Sequence, residues 1–193
     1  MKVFPSTIGC VRVMAVVALL AGCSGVGTID ESLNSPISND DTYATIGYLW
    51  AGARTAILNK REPSTDAFNL PVGYQLPCAR GGQGLFQGTL AGTKAAGKGS
   101  ATVAITASLA ACQFDEIRVV RTISAPLVTI TGTVAILNDT WDATSIRIVS
   151  SAVTVNGVAC PGGVNVTITG TTLAGQATST GTACGRTGAV PLP

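Results

Sequence analysis

Strict two-residue alternation over long stretches of this chain leaves little choice of backbone. In Val103-Ala104-Ile105-Thr106-Ala107-Ser108-Leu109 the larger apolar residues occupy odd positions, and in Val128-Thr129-Ile130-Thr131-Gly132-Thr133-Val134-Ala135-Ile136 they occupy even ones. Successive side chains of a strand point to opposite faces, so each stretch reads as a strand with one buried and one wet face; a helix would scatter the same residues around its circumference. Similar runs cover 84–90, 116–123, 144–155 and 164–171, with slips near 149–151 and at Gly170 that read as bulges. Turns are expected at 92–99, which carries Lys94 and Lys98, at 138–142, and at Asn156-Gly157, a strong two-residue hairpin signal.

One segment has helical period instead. Tyr43, Ile46, Trp50, Ala53 and Ile57 recur at spacings of three, four, three and four, which predicts a helix over about 42–60 capped by Asp41. Gly47 and Gly52 oppose it, each at about 1 kcal/mol relative to alanine. Lys60 and Arg61 suit the negative helix end, and Pro63 stops it. The predicted fold is mainly β: six to eight strands in a curved antiparallel sheet, sandwich or partly open barrel, with one N-terminal helix packed on it.

The first 22 residues have a different character. Lys2 and Arg12 supply positive charge, residues 13–20 (VMAVVALL) form a short apolar core, and Leu20-Ala21-Gly22-Cys23 ends it. The core is too short for a transmembrane helix, which needs about 20 apolar residues, and Ser24-Gly25-Val26-Gly27 breaks the run. An ordinary cleaved signal with a small-residue site would also use Ala21 and Gly22. The arrangement as a whole resembles the signal and lipobox of bacterial lipoproteins. That resemblance implies removal of residues 1–22, a thioether-linked diacylglycerol on Cys23, and usually a third acyl chain on the new amine. Ser24 in place of aspartate is similar to the pattern of lipoproteins passed to the outer membrane, with the periplasmic or surface face left open. Two or three chains would anchor the protein firmly, since each buried methylene contributes about 0.8 kcal/mol. Residues 23–41, rich in Ser, Gly, Asn and Asp, read as a flexible tether, and 42–193 as a single β-rich domain.

Charge and cysteine content fit export. Cleavage after residue 22 would remove Lys2 and Arg12 from the 12 cations and none of the 10 acids, leaving a formally neutral chain. Neutrality argues against nucleic acid as a partner, which needs clustered Lys and Arg to neutralise phosphates. The sequence has no histidine, which removes Ser-His-Asp and Cys-His nucleophile systems and the common zinc sites. With Cys10 in the signal and Cys23 lipidated, Cys78, Cys112, Cys160 and Cys184 remain, an even set for an oxidising compartment. Of three connectivities the sequence-local one is preferred, Cys78 to Cys112 and Cys160 to Cys184, because each bond would close one hairpin unit. No C-x-x-C supports a thiolate metal site or redox pair.

Cys78-Ala79-Arg80-Gly81-Gly82 leads to Gly88-Thr89-Leu90-Ala91-Gly92, and Cys160-Pro161-Gly162-Gly163 leads to Gly170-Thr171-Thr172-Leu173-Ala174-Gly175, each followed by one more cysteine. The parallel hints at duplication, although Gly and Thr composition also makes chance matches. These Cys-x-x-Gly-Gly turns, with Cys112-Gln113-Phe114, resemble a loose set of uncharacterised Thr- and Val-rich bacterial lipoproteins, and that resemblance implies no activity.

The most site-like cluster is Asn138-Asp139-Thr140-Trp141-Asp142, two carboxylates and an aromatic between strands, suited to Ca2+ or to stacking a sugar on Trp141. The competing reading is a turn, since Asn and Asp bond their own backbone and the D-x-D-x-D-G pattern is missing. No metal or organic cofactor and no catalytic residues are expected. The expected function is that of a lipid-anchored, disulfide-stabilised cell-envelope protein of structural or interaction and ligand-binding type. The alternative is a carrier holding lipid or another hydrophobic ligand between sheet and helix.

Overall fold

A computed structural model describes residues 35–60, 66–116, 119–170 and 177–192. Cys23, the lipobox and the tether up to residue 34 lie outside the described residues.

The domain is mainly β, with one helix against a curved antiparallel sheet that does not close into a barrel. The helix, α1, spans Asn39–Leu58. The strands are β1 (Ala67–Leu76), β2 (Gln83–Ala95), β3 (Lys98–Glu116), β4 (Val119–Leu137), β5 (Thr140–Ser150), β6 (Thr154–Val155), β7 (Val158–Ala159), β8 (Val164–Gly170), β9 (Ala177–Ala183) and β10 (Arg186–Leu192). Their order is β1-β2-β3-β4-β5-β8-β9-β10, with β6 on the early part of β4 and β7 beyond it. From Val119 the expected strand over 116–123 is continuous with that over 128–136 as β4, and the expected strand over 144–155 divides into β5 and β6.

Alternation decides which face is buried. Val103, Ile105 and Leu109 of β3 and Val128, Ile130, Val134 and Ile136 of β4 point inward, while Thr102, Thr106, Thr129, Thr131 and Thr133 stand exposed on the convex face. Register shifts lie in the β3–β4 ladder, with an extra residue on β4 between Ala125 and Val128 and one on β3 between Leu109 and Cys112, and in the β4–β5 ladder, with an extra residue on β5 between Ala143 and Ser145. Each adds an unpaired residue that bends the ladder. The slip expected at 149–151 is not a bulge; β5 ends at Ser150, and Gly163 approaches so closely that a Cβ there would meet the Ser150 carbonyl at 2.0 Å.

Helix α1 fills the concave face. Ile46, Leu49, Trp50, Ala53, Ala56 and Ile57 are buried, against β1, β2, β4, β5 and β9. The cap is Ser38, not Asp41: the Ser38 hydroxyl accepts from the Asp41 N–H at 3.1 Å and donates to the Asp41 carboxylate at 2.8 Å. Asp41 therefore sits in the first turn, where a negative charge favours the helix end. The helix closes at Leu58, before Lys60.

Among the described residues four hairpins turn on two residues, each pair with positive φ: Ala96-Gly97, Asn138-Asp139, Asn156-Gly157 and Cys184-Gly185. Positive φ at both central positions gives the turn twist that matches the strands.

Candidate functional site

Both disulfides form in the sequence-local pairing, Cys78–Cys112 and Cys160–Cys184, across 34 and 24 residues. The two units share a construction. Each opens with a tight turn, the Gly81 N–H donating to the Cys78 carbonyl at 3.2 Å and the Gly163 N–H to the Cys160 carbonyl at 3.0 Å. A strand then runs out, its neighbour runs back, and the second cysteine closes on the first.

Strand pairing places the two disulfides at the same end of the sheet. One cross-strand row joins Thr106 of β3, Thr129 of β4, Val149 of β5, Asn165 of β8 and Thr182 of β9, so Cys112 and Cys184 both lie beyond that row on the same side. The start of the described chain belongs to this end too. The Ser35 hydroxyl donates to the Cys184 carbonyl at 2.6 Å, and the buried Arg186 guanidinium donates to the Ile37 carbonyl at 2.6 and 3.2 Å. Four residues on from Ile37, Asp41 takes the Arg121 guanidinium at 2.7 Å. A continuous line of contacts thus runs from the β9–β10 turn through the start of the helix to the β3–β4 hairpin.

The Asn138 to Asp142 cluster lies at the opposite end and does not converge on a point. Asn138 and Asp139 are the central residues of the β4–β5 turn, with φ of 53° and 59°. Asp139 pairs with Lys94 at 2.7 Å, and its N–H donates to the Gly97 carbonyl at 3.0 Å, tying two hairpin turns together. Trp141 is buried; its indole N–H donates to the Lys60 carbonyl at 2.7 Å and its ring meets Phe68 edge-on. That ring is core and is not free to stack a sugar. Asp142 pairs with Ala135 in the β4–β5 ladder, and one of its carboxylate oxygens is buried without a hydrogen-bond partner. Among the described residues no three Cys, Asp or Glu side chains gather as a metal would require.

Between α1 and strands β8 to β10 lies a cavity of about 10 Å³ lined by Thr42, Ile46, Val166, Ser179, Arg186 and Val190. It has room for about one water, against the hundreds of Å³ a small-molecule pocket encloses. The buried Ser179 hydroxyl has no protein partner. The space a carried ligand would take between sheet and helix is, among the described residues, filled by Leu49, Trp50 and Ile57.

Comparison of the chain with protein-family models, with curated proteins and with solved structures finds no match.

Proposed function

We propose that this is a lipid-anchored cell-envelope protein, held in the outer membrane through acyl chains on Cys23, whose domain works by presenting a surface rather than by turning over a substrate. The observation that carries the reading is the disposition of cysteines. After the lipobox, Cys78, Cys112, Cys160 and Cys184 are all consumed in disulfides, so Cys23 alone remains for modification in the processed chain. Disulfides persist in oxidising compartments, where a lipobox would send the chain. The surface presented is hydroxyl-rich: Thr102, Thr129, Thr131 and Thr133 lead a convex face that continues through Thr169, Thr178, Thr180 and Thr182, with Arg147 as a cation among them.

Intact-mass analysis of protein extracted from its native membrane, with and without reduction and alkylation, tests the reading. The expected mass is that of residues 23–193 plus acyl chains, with four alkyl groups added only after reduction. An unacylated mass would reject the anchor.

A further inference from the structure

The end of the domain that holds both disulfides also holds a small exposed apolar group. Among the described residues, Val119 and Val120 at the start of β4 are 45% and 41% exposed, and Val158, on the β6–β7 hairpin, is 41% exposed. The two hairpins are joined, since the Asn156 N–H donates to the Thr122 carbonyl at 2.8 Å and the Thr122 N–H donates to the Asn156 side chain at 2.9 Å. Among the described side chains beside these valines, Arg80 pairs with Asp115 at 2.9 Å and Arg121 with Asp41 at 2.7 Å.

The position of the chain start bears on what this group faces. Ser35 sits at this end, against Cys184, and only 12 residues separate it from Cys23. Twelve residues reach at most about 40 Å. Strand β3 is 19 residues long, about 60 Å at the usual rise, so the turns at Ala96-Gly97 and Asn138-Asp139 stand much further along the sheet than the valines do. A Cys23 fixed in a bilayer keeps Ser35 within about 40 Å of it, so the disulfide end is the end the tether reaches first.

We propose that Val119, Val120 and Val158 form a membrane-facing foot that rests in the headgroup region, so that the domain stands on its disulfide end with the Thr-rich face upright beside it. This inference rests on the lipid anchor proposed above. Apolar side chains at such a depth add to acyl anchoring and fix an orientation that acyl chains alone do not.

The test uses the full acylated protein in phosphatidylethanolamine–phosphatidylglycerol vesicles carrying nitroxide-labelled lipid. An environment-sensitive fluorescent amino acid is placed at 119, 120 or 158, and in a control at Leu137, which is exposed at the other end. Lipid quenching several-fold stronger at 119, 120 and 158 than at 137 is the expected result. V119D/V120D, altered only at exposed positions, should lose most of the quenching at 158 while keeping its acylated mass and native tryptophan emission. Equal quenching at all positions in a protein of acylated mass would overturn the foot and leave the anchor standing. An unacylated mass would overturn both. Unquenched valine positions together with a dimeric mass in detergent would assign the patch to a contact between copies and likewise overturn the foot.

Discussion

Arg121 and Asp41 meet across 80 residues of sequence, guanidinium to carboxylate at 2.7 Å, with side chains only 9% and 24% exposed. This contact fastens the first turn of α1 to the β3–β4 hairpin. Breaking a fully buried pair by removing one partner costs about 3–5 kcal/mol, and the partial exposure of Asp41 lowers that to about 2–3 kcal/mol. Asp41→Ala should therefore reduce unfolding free energy by about that amount in urea titration. Arg121→Met in the same background should recover part of the loss, because it removes the charge left buried. Additive losses would show that the two side chains do not interact.

The two helix glycines separate backbone preference from packing. At Gly47 an added Cβ would meet nothing within 4 Å, so Gly47→Ala should stabilise by about 0.5–1 kcal/mol through helix propensity alone. At Gly52 the same atom would lie 2.2 Å from Phe86, whose ring is fully buried and has no room to retreat. Overpacking of this kind costs about 1–3 kcal/mol and outweighs the propensity gain, so Gly52→Ala should lower the thermal midpoint where Gly47→Ala raises it. Phe86→Leu should be tolerated better in the Gly52→Ala background than in the natural chain.

Loop closure over 34 and 24 residues predicts that the disulfides contribute about 4 and 3.5 kcal/mol through the unfolded state. They should not open together. Cys160 and Cys184 are both buried, whereas Cys78 is partly exposed, which gives a reductant a route to one sulfur of the first bond. Stepwise reduction with alkylation and peptide mapping should label Cys78 and Cys112 first; simultaneous labelling of all four cysteines would mean that reduction follows global unfolding.

Much of this architecture is written locally in the chain. The Ile and Val alternation of β3 and β4, the Asn156-Gly157 turn and the Trp50 helix face all depend on period and turn chemistry within a few residues. Less legible were β1, β9 and β10. In β9 the inward positions are filled by Ala177, Ser179 and Ala183, small residues that give no hydrophobic period although all three are buried. The turn expected over 92–99 narrows to Ala96-Gly97 because β2 runs on to Ala95 and β3 starts at Lys98, while the Cys184-Gly185 turn hid because only its glycine hints at positive φ. Within the Asn138 to Asp142 cluster composition suggested a site, but alternation around a two-residue turn sends Trp141 into the core and Asp142 toward the other face. The gathering of disulfides, chain start and exposed valines at one end is a product of topology, and no local pattern carries it.

The two tryptophans offer a last test, because they share burial but not hydrogen bonding. Each is about 1% exposed; the Trp141 indole N–H reaches the Lys60 carbonyl at 2.7 Å, while the Trp50 indole N–H is buried without a partner among the described residues. Replacing either by Phe removes similar volume, so the difference between the two variants isolates the polar group. Trp141→Phe strands a carbonyl and loses a bond worth about 1 kcal/mol, whereas Trp50→Phe removes a donor whose burial already costs about 1–3 kcal/mol. Trp141→Phe should therefore be the more destabilised by about 2–4 kcal/mol in denaturant titration, while the remaining tryptophan in each variant keeps a blue-shifted emission that acrylamide quenches weakly. Equal losses would mean that the Lys60 carbonyl finds another donor once the indole is gone.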